Sequence, residues 1–205
     1  MTERAAEPVT EGDPLHILFI CTANRCRSPL AQVIASDQIR RRGADAVVSS
    51  AGFMESGQPA ASGSINAARK RGLDLSRHAS NEIDADLIAW ADVVIGMEPG
   101  HILDLSDIVP GAQKRALTLK ELARFAKGAD DGPMSTVPLS ARPRSTDQIR
   151  EWVRHVGERS LSSLLSDDNT VEDPIGRSDR RFRSTAKEID GLITTVFDLW
   201  FGPQQ

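Results

Sequence analysis

Tyrosine is absent from this chain, and cysteine occurs only twice, at Cys21 and Cys26. Without tyrosine, the chain cannot be controlled by phosphorylation of its own tyrosines. Two thiols five residues apart, with no histidine beside them, form neither a disulfide framework nor a good zinc site. No uncharged apolar run approaches the roughly 18 residues that span a bilayer. The N-terminal stretch MTERAAEPVTEGDP is polar and acidic and lacks the apolar segment of a secretory signal. The expectation is a cytoplasmic protein with no membrane contact. A net charge of −4 offers no basic surplus for nucleic acid. The 205 residues are enough for one domain with a substantial core plus an insertion.

What is present organises itself around His16 to Gln32, HILFICTANRCRSPLAQ. An apolar run, His16 to Ile20, has the length of a short buried strand. Small and polar residues follow, Thr22 to Ser28, and Pro29 then fits the first turn of a helix reaching Arg42 and stopping at Gly43. Further strands are expected at Ala46 to Ser50, Asp92 to Met97 and Ala116 to Thr118, with Ser50-Ala51-Gly52 as a turn. Helices are expected at Ser62 to Lys70, Asp84 to Trp90, from Pro99, and at Leu119 to Ala126. Residues 127–144, rich in glycine and proline, read as a linker, and Ser145 to Leu165 returns to helical spacing. A long amphipathic helix carries Phe182, Ala186, Ile189, Ile193, Val196, Phe197 and Trp200. Alternating strands and helices predict an α/β fold, three-layered, with a short four-stranded parallel sheet flanked by helices and a phosphate-binding loop after the first strand. Residues 1–13 read as a disordered tail and 14–205 as a single domain with an insertion at about 127–168.

The loop carries specific chemistry. Inward N–H groups and a helix N-terminus form a cradle that favours an anion. The sequence places a nucleophile, Cys21, at its entrance and a planar fork, Arg27, six residues later. Donors already in place would meet the charge on the equatorial oxygens during phosphoryl transfer. Ser28 can donate to the sulfur, and Asn24 tolerates a left-handed backbone.

ILFICTANRCRSPLAQ resembles the signature of the low-molecular-weight protein-tyrosine phosphatases: a strand followed by C-x5-R-S-P, with Asn three residues and a second Cys five residues after the nucleophile. Ser50-Ala51-Gly52, the Gly72 to His78 stretch, the Asp92 to Met97 strand and Asp173-Pro174 are similar to that family's other landmarks, in the same order. The resemblance implies Cys21 as nucleophile, Arg27 as phosphate-binding and transition-state residue, and Asp173 as general acid and base. It makes Thr22, Ala23, Asn24, Arg25, Cys26 and Ser28 the substrate-binding loop, with Ser50 and His78 as its supports. It implies no metal and no cofactor. The partners it implies are a phosphorylated protein substrate and phosphate or a similar oxyanion in the loop. Cys26 reads either as a small loop filler or as a disulfide partner that protects Cys21 from oxidation.

Three departures from the family pattern bear on substrate. Arg25 stands where an apolar residue is usual. Asp173-Pro174 is followed by Ile175 and Gly176 rather than aromatic residues, which leaves Phe53 or Met54 to wall the pocket. The segment between Met97 and Asp173 is about twice the compact length, resembling an enlarged actinobacterial form. Its extra helix is expected beside the active-site mouth, or in support of a homodimer. Phosphotyrosine is the leading substrate. Phosphoarginine, arsenate reduction with a low-molecular-weight thiol, and a non-catalytic phosphate-binding module stay open.

Overall fold

The computed structural model describes residues 12–128, 145–160 and 167–204. Residues 1–11, most of the expected linker, and Leu161, Leu164 and Leu165 of the expected insertion helix lie outside the described residues. Four strands, β1 (Leu15–Cys21), β2 (Ala46–Gly52), β3 (Val93–Gly96) and β4 (Ala116–Thr118), form one parallel sheet in the order β2-β1-β3-β4. The described α-helices are α1 (Arg27–Arg42), α2 (Ser62–Arg69), α3 (Ala85–Trp90), α4 (Pro99–Ile108), α5 (Leu119–Lys127), α6 (Thr146–Ser160) and α7 (Asp179–Phe201).

Strand β1 shows why the sheet has two covered faces. Leu15, Ile17, Phe19 and Cys21 join one buried cluster with α1, α2, α5, α6 and α7, while Leu18 and Ile20 join a second with α3 and α4. A strand buried on both faces must be apolar at every step, which Ile17 to Ile20 is. Because β2 and β3 lie on opposite sides of β1, the chain reverses its direction of winding after β2, and the switch point lies between β1 and β3. The crevice at such a switch, outside the carboxyl ends of the strands, is where ligands bind in open α/β sheets. The loop Thr22 to Cys26 sits there.

Two boundaries differ from expectation, for the same reason. Parallel pairing extends β1 through Cys21 and β2 through Gly52, which are register partners. Ser50-Ala51-Gly52 is therefore strand and not a turn. Gly52 is needed by close approach: a Cβ there would stand 2.6 Å from the Asn24 nitrogen and 2.8 Å from the Cys21 oxygen. Helix α1 ends as expected, with Gly43 at φ 59° and its N–H returned to Arg40.

Helix α6 does not lie beside the loop. Ile149, Trp152, Val153 and Val156 are buried in the larger cluster, and the Trp152 ring meets Trp200 edge-on at 6.1 Å. Arg150 pairs with Asp92 at 3.0 Å and donates to the carbonyls of Asp13 and Pro14, all at the amino ends of the strands. Seven residues of β1, about 20 Å, separate that end from the loop. The expected place at the mouth is overturned because the apolar face of α6 is spent on the edge of the sheet and on α7. Replacing Trp152 with Ala is expected to lower the unfolding free energy by about 3–5 kcal/mol, read as a shift of the urea midpoint at constant slope. An unchanged midpoint would contradict the docking of α6.

Candidate active site

The loop begins where β1 stops pairing and ends in the first turn of α1. None of the N–H groups of Thr22 to Cys26 reaches an acceptor among the described residues, so the loop presents unpaired donors at a helix N-terminus. Asn24 is the one non-glycine residue at positive φ, 49°, among the described residues. Asparagine tolerates that conformation, and its buried side chain secures it. Nδ2 donates to Ser28 Oγ at 2.9 Å and to Ser50 Oγ at 2.8 Å, and Oδ1 accepts from the Asn81 N–H at 2.9 Å. The Asn24 carbonyl accepts from His78 Nε2 at 2.7 Å, which puts a proton on that ring nitrogen.

These bonds have a direction. Both serine hydroxyls accept from Asn24, so each must send its own hydrogen onward. Ser50 donates to Gln32 Oε1 at 2.6 Å. Ser28 Oγ lies 3.0 Å from Cys21 Sγ and 3.3 Å from the Ala51 carbonyl oxygen. Gln32 completes the network and was not singled out by the loop motif, because it faces the loop only after one further turn of α1. Cys26 is buried, and burial pushes its thiol up to about 11. It is a neutral thiol at physiological pH.

Arg27 is 1% exposed, yet its guanidinium reaches four partners from three segments. Nη1 donates to Glu98 at 2.6 Å and to the Val171 carbonyl at 3.1 Å; Nη2 donates to Asp173 at 2.8 Å and to Thr22 Oγ1 at 3.2 Å. Nε is buried and has no partner among the described residues. A buried N–H on a cation with no protein acceptor can donate to an oxygen of a bound anion. The carboxylates hold the Arg27 pKa above its usual range despite burial, which acts the other way. Asp173 also accepts from the Ile175 N–H at 2.9 Å. The structure thus brings Cys21, Arg27 and Asp173 to one place. Arg25 stands at the rim, its Nε donating to the Pro59 carbonyl at 2.9 Å.

Two residues of this place were missed in the sequence. Glu98 follows β3 and pairs with Arg27. His101, one turn later on α4, is buried; its Nε2 lies 3.1 Å from Thr22 Oγ1 and 3.4 Å from Glu98. The Met97 N–H points at His101 Nδ1 from 3.3 Å, so Nδ1 accepts and Nε2 carries the proton. Phe53 stacks on the same ring at 5.7 Å; Met54 is 55% exposed. The signal was Met97-Glu98-x-x-His101 after a strand: a carboxylate and an imidazole at the carboxyl end of β3.

Burial pulls His101 down from 6.5 to about 4, with Glu98 opposing. Between these values the unfolded chain binds more protons at this site than the folded one, so stability rises with pH across the window and is lost as pH falls. At 1.36 kcal/mol per unit this is at most about 3 kcal/mol at pH 4. Urea unfolding at pH 7 and pH 4 is expected to show a smaller acid loss for His101→Gln than for the unchanged protein. Equal losses would refute a buried neutral imidazole.

Comparison with known proteins agrees with this geometry. The family model described as low molecular weight phosphotyrosine protein phosphatase matches residues 16–135. The chain is 27% identical over 147 residues to a protein-arginine-phosphatase of Geobacillus stearothermophilus, covering 71% of this chain and 96% of that one. It is 32% identical over 106 residues to a putative low molecular weight protein-tyrosine-phosphatase of Klebsiella pneumoniae, covering 49% of this chain and 68% of the relative. A solved low molecular weight protein tyrosine phosphatase from T. tengcongensis shares the fold with a TM-score of 0.65 at 25% identity, over 90% of this chain and 98% of its own. With a match to more than half of its length, one that takes in the loop holding Cys21 and Arg27, the chain belongs to the low molecular weight phosphotyrosine protein phosphatase family of hydrolases.

Proposed function

We propose that this phosphatase hydrolyses phosphomonoesters through a cysteinyl-phosphate, with protein phosphotyrosine as its substrate. The observation that carries the reading is the buried Arg27, its Nε unpartnered, at the floor of a loop of unpaired N–H groups that starts at Cys21. A phosphoryl group entering the loop takes hydrogen bonds from those N–H groups and from Arg27. In doing so it competes with Asp173 for Nη2, and Asp173 is freed to act on the ester oxygen. Cys21 Sγ attacks phosphorus in line with the leaving oxygen. The P–O bond breaks, and the Asp173 carboxyl gives its proton to the departing alcohol. Water then attacks the phosphocysteine, Asp173 takes a proton from it, and the P–S bond breaks. The Ser28 hydroxyl, 3.0 Å from the sulfur, stabilises the thiolate as it leaves. Thr22, Ala23, Asn24, Arg25, Cys26 and Ser28 supply the loop around the phosphate, and Ser50 and His78 hold it in shape.

A second substrate, phosphoarginine, is favoured by one observation: the protein-arginine-phosphatase of Geobacillus stearothermophilus aligns over 96% of its length. Against it stands Arg25. Its tie to Pro59 keeps a cation at the rim, where it repels the guanidino group of such a substrate. Peptides carrying phosphotyrosine or phosphoarginine in the same sequence distinguish the two; faster release from phosphoarginine would overturn the choice.

With p-nitrophenyl phosphate in EDTA, full turnover is expected for the unchanged protein and none detectable for Cys21→Ser. Loss of activity in EDTA would refute the metal-free route. Asp173→Asn should lower kcat by about 10²–10⁴-fold. Because p-nitrophenol needs little protonation to leave, the first step survives better than the second in this variant. Phosphate should therefore accumulate on the Cys21 peptide after acid quench. Asp173→Asn with unaltered kcat would remove the assigned acid and base.

A further inference from the structure

The segment after Asp173 carries charge that the fold does not use. Between Pro174 and Lys187 stand Arg177, Arg180, Arg181, Arg183 and Lys187 against the single carboxylate of Asp179, in a chain whose net charge is −4. All five cations are exposed. Among the described residues only Arg181 has a carboxylate partner, Glu172 at 3.4 Å. Arg180, Arg183 and Lys187 are spaced by three and four residues, so they form one stripe along the first two turns of α7. Arg177 precedes them in the turn closed by its N–H on the Pro174 carbonyl.

Helix physics does not account for this placement. The N-terminus of a helix carries partial positive charge and favours carboxylates, so arginines in its first turns cost stability. With α7 already anchored by Phe182, Ala186 and Ile189 in the core, its amino end tolerates that cost, but nothing inside the chain gains from it.

The helix that carries the stripe begins close to the pocket. Phe182 packs so closely on the first turn of α2 that a Cβ on Gly63 would lie 2.4 Å from its ring. Two residues earlier, the Ala61 N–H donates to the Arg25 carbonyl at 2.8 Å. The first turn of α7 therefore adjoins the same rim that holds Arg25, and Asp173 leads directly into it. The only exposed large apolar residue in this stretch is Ile175.

We propose that Arg25, Arg177, Arg180 and Arg183 form a docking surface for acidic side chains that flank the phosphorylated residue of the substrate, making this a phosphatase for acidic phosphoprotein segments. The proposal rests on the phosphatase reading above and adds substrate class to it. An acidic peptide fits better than a membrane or nucleic acid because the cations follow Asp173 directly in the chain and the remainder of the chain is acidic, which repels extended polyanions.

The test compares the unchanged protein with Arg177→Gln/Arg180→Gln/Arg183→Gln, leaving Arg181 and its pair intact. Three substrates are used: p-nitrophenyl phosphate and two phosphotyrosine peptides, one flanked by Asp and Glu, one by Ser and Gly. Three exposed charge contacts together predict a fall of about tenfold in kcat/KM on the acidic peptide, carried by KM and weakened by salt. Turnover of the neutral peptide and of p-nitrophenyl phosphate should be unchanged. Fluorescence anisotropy with the two peptides reads docking independently of chemistry, and the same loss is expected in Kd for the acidic one alone. No preference for the acidic peptide in either assay, or a preference that survives the triple change, overturns the proposal. So does a triple variant that keeps the preference but loses binding to phosphatidylserine vesicles. Absence of turnover on all three substrates, with acidic-peptide binding intact, would instead remove the phosphatase reading and leave the docking surface standing.

Discussion

The site is organised by the need to keep one cation out of water. Moving a guanidinium from solvent to a 1% exposed position costs several kcal/mol unless opposite charge and hydrogen bonds surround it. Arg27 obtains them from Glu98 at the end of β3, from Asp173 and Val171 ahead of α7, and from Thr22 in the loop itself. The partners differ in permanence. Arg27 cannot leave, but the carboxylates of Glu98 and Asp173 are each about a third exposed and face the pocket. An incoming dianion can therefore replace a carboxylate without exposing the arginine. The same ion pair that makes the buried cation tolerable positions the residue proposed to carry the proton.

Around that cation the backbone is held in a shape it would not adopt alone. Asn24 sits at positive φ, and unpaired loop N–H groups converge on one point. Their mutual repulsion is balanced by Asn24, Ser28, Ser50, Gln32 and His78, drawn from α1, β2 and the loop before α3. Gly52 allows β2 to run directly beneath the loop, so the loop rests on backbone rather than on a side chain that could rotate away. The donors are thus arranged before substrate arrives, which is the condition for electrostatic stabilisation without reorganisation.

Much of this was legible in the sequence because it is local. The strand, the loop, Arg27 and the helix start lie within seventeen consecutive residues, and their order dictates their geometry. Ser50, His78 and Asp173 were reached only through resemblance, since no spacing rule says which distant segments converge. Glu98 and His101 were missed because a lone Glu and a lone His carry no periodic signal; only the topology, which puts β3 beside β1, brings them to Arg27. The extent of β2 was misjudged for a similar reason. Ser-Ala-Gly has turn composition, and parallel pairing with β1 outweighs it. Helix α6 was recognised as a helix from its period, but which surface it covers depends on Trp200 and Asp92, far away in the chain.

Ser28 has one hydrogen and two places to send it. With Asn24 filling one lone pair, the hydroxyl either points at Cys21 Sγ or swings to the Ala51 carbonyl oxygen. The hydroxyl is thus a rotor with two acceptors in reach, one a side chain at the head of the loop and one the backbone of β2. The strand beneath the loop is in this sense a spare acceptor: the hydrogen bond to the sulfur can be given up without leaving the serine's hydrogen buried and unpaired.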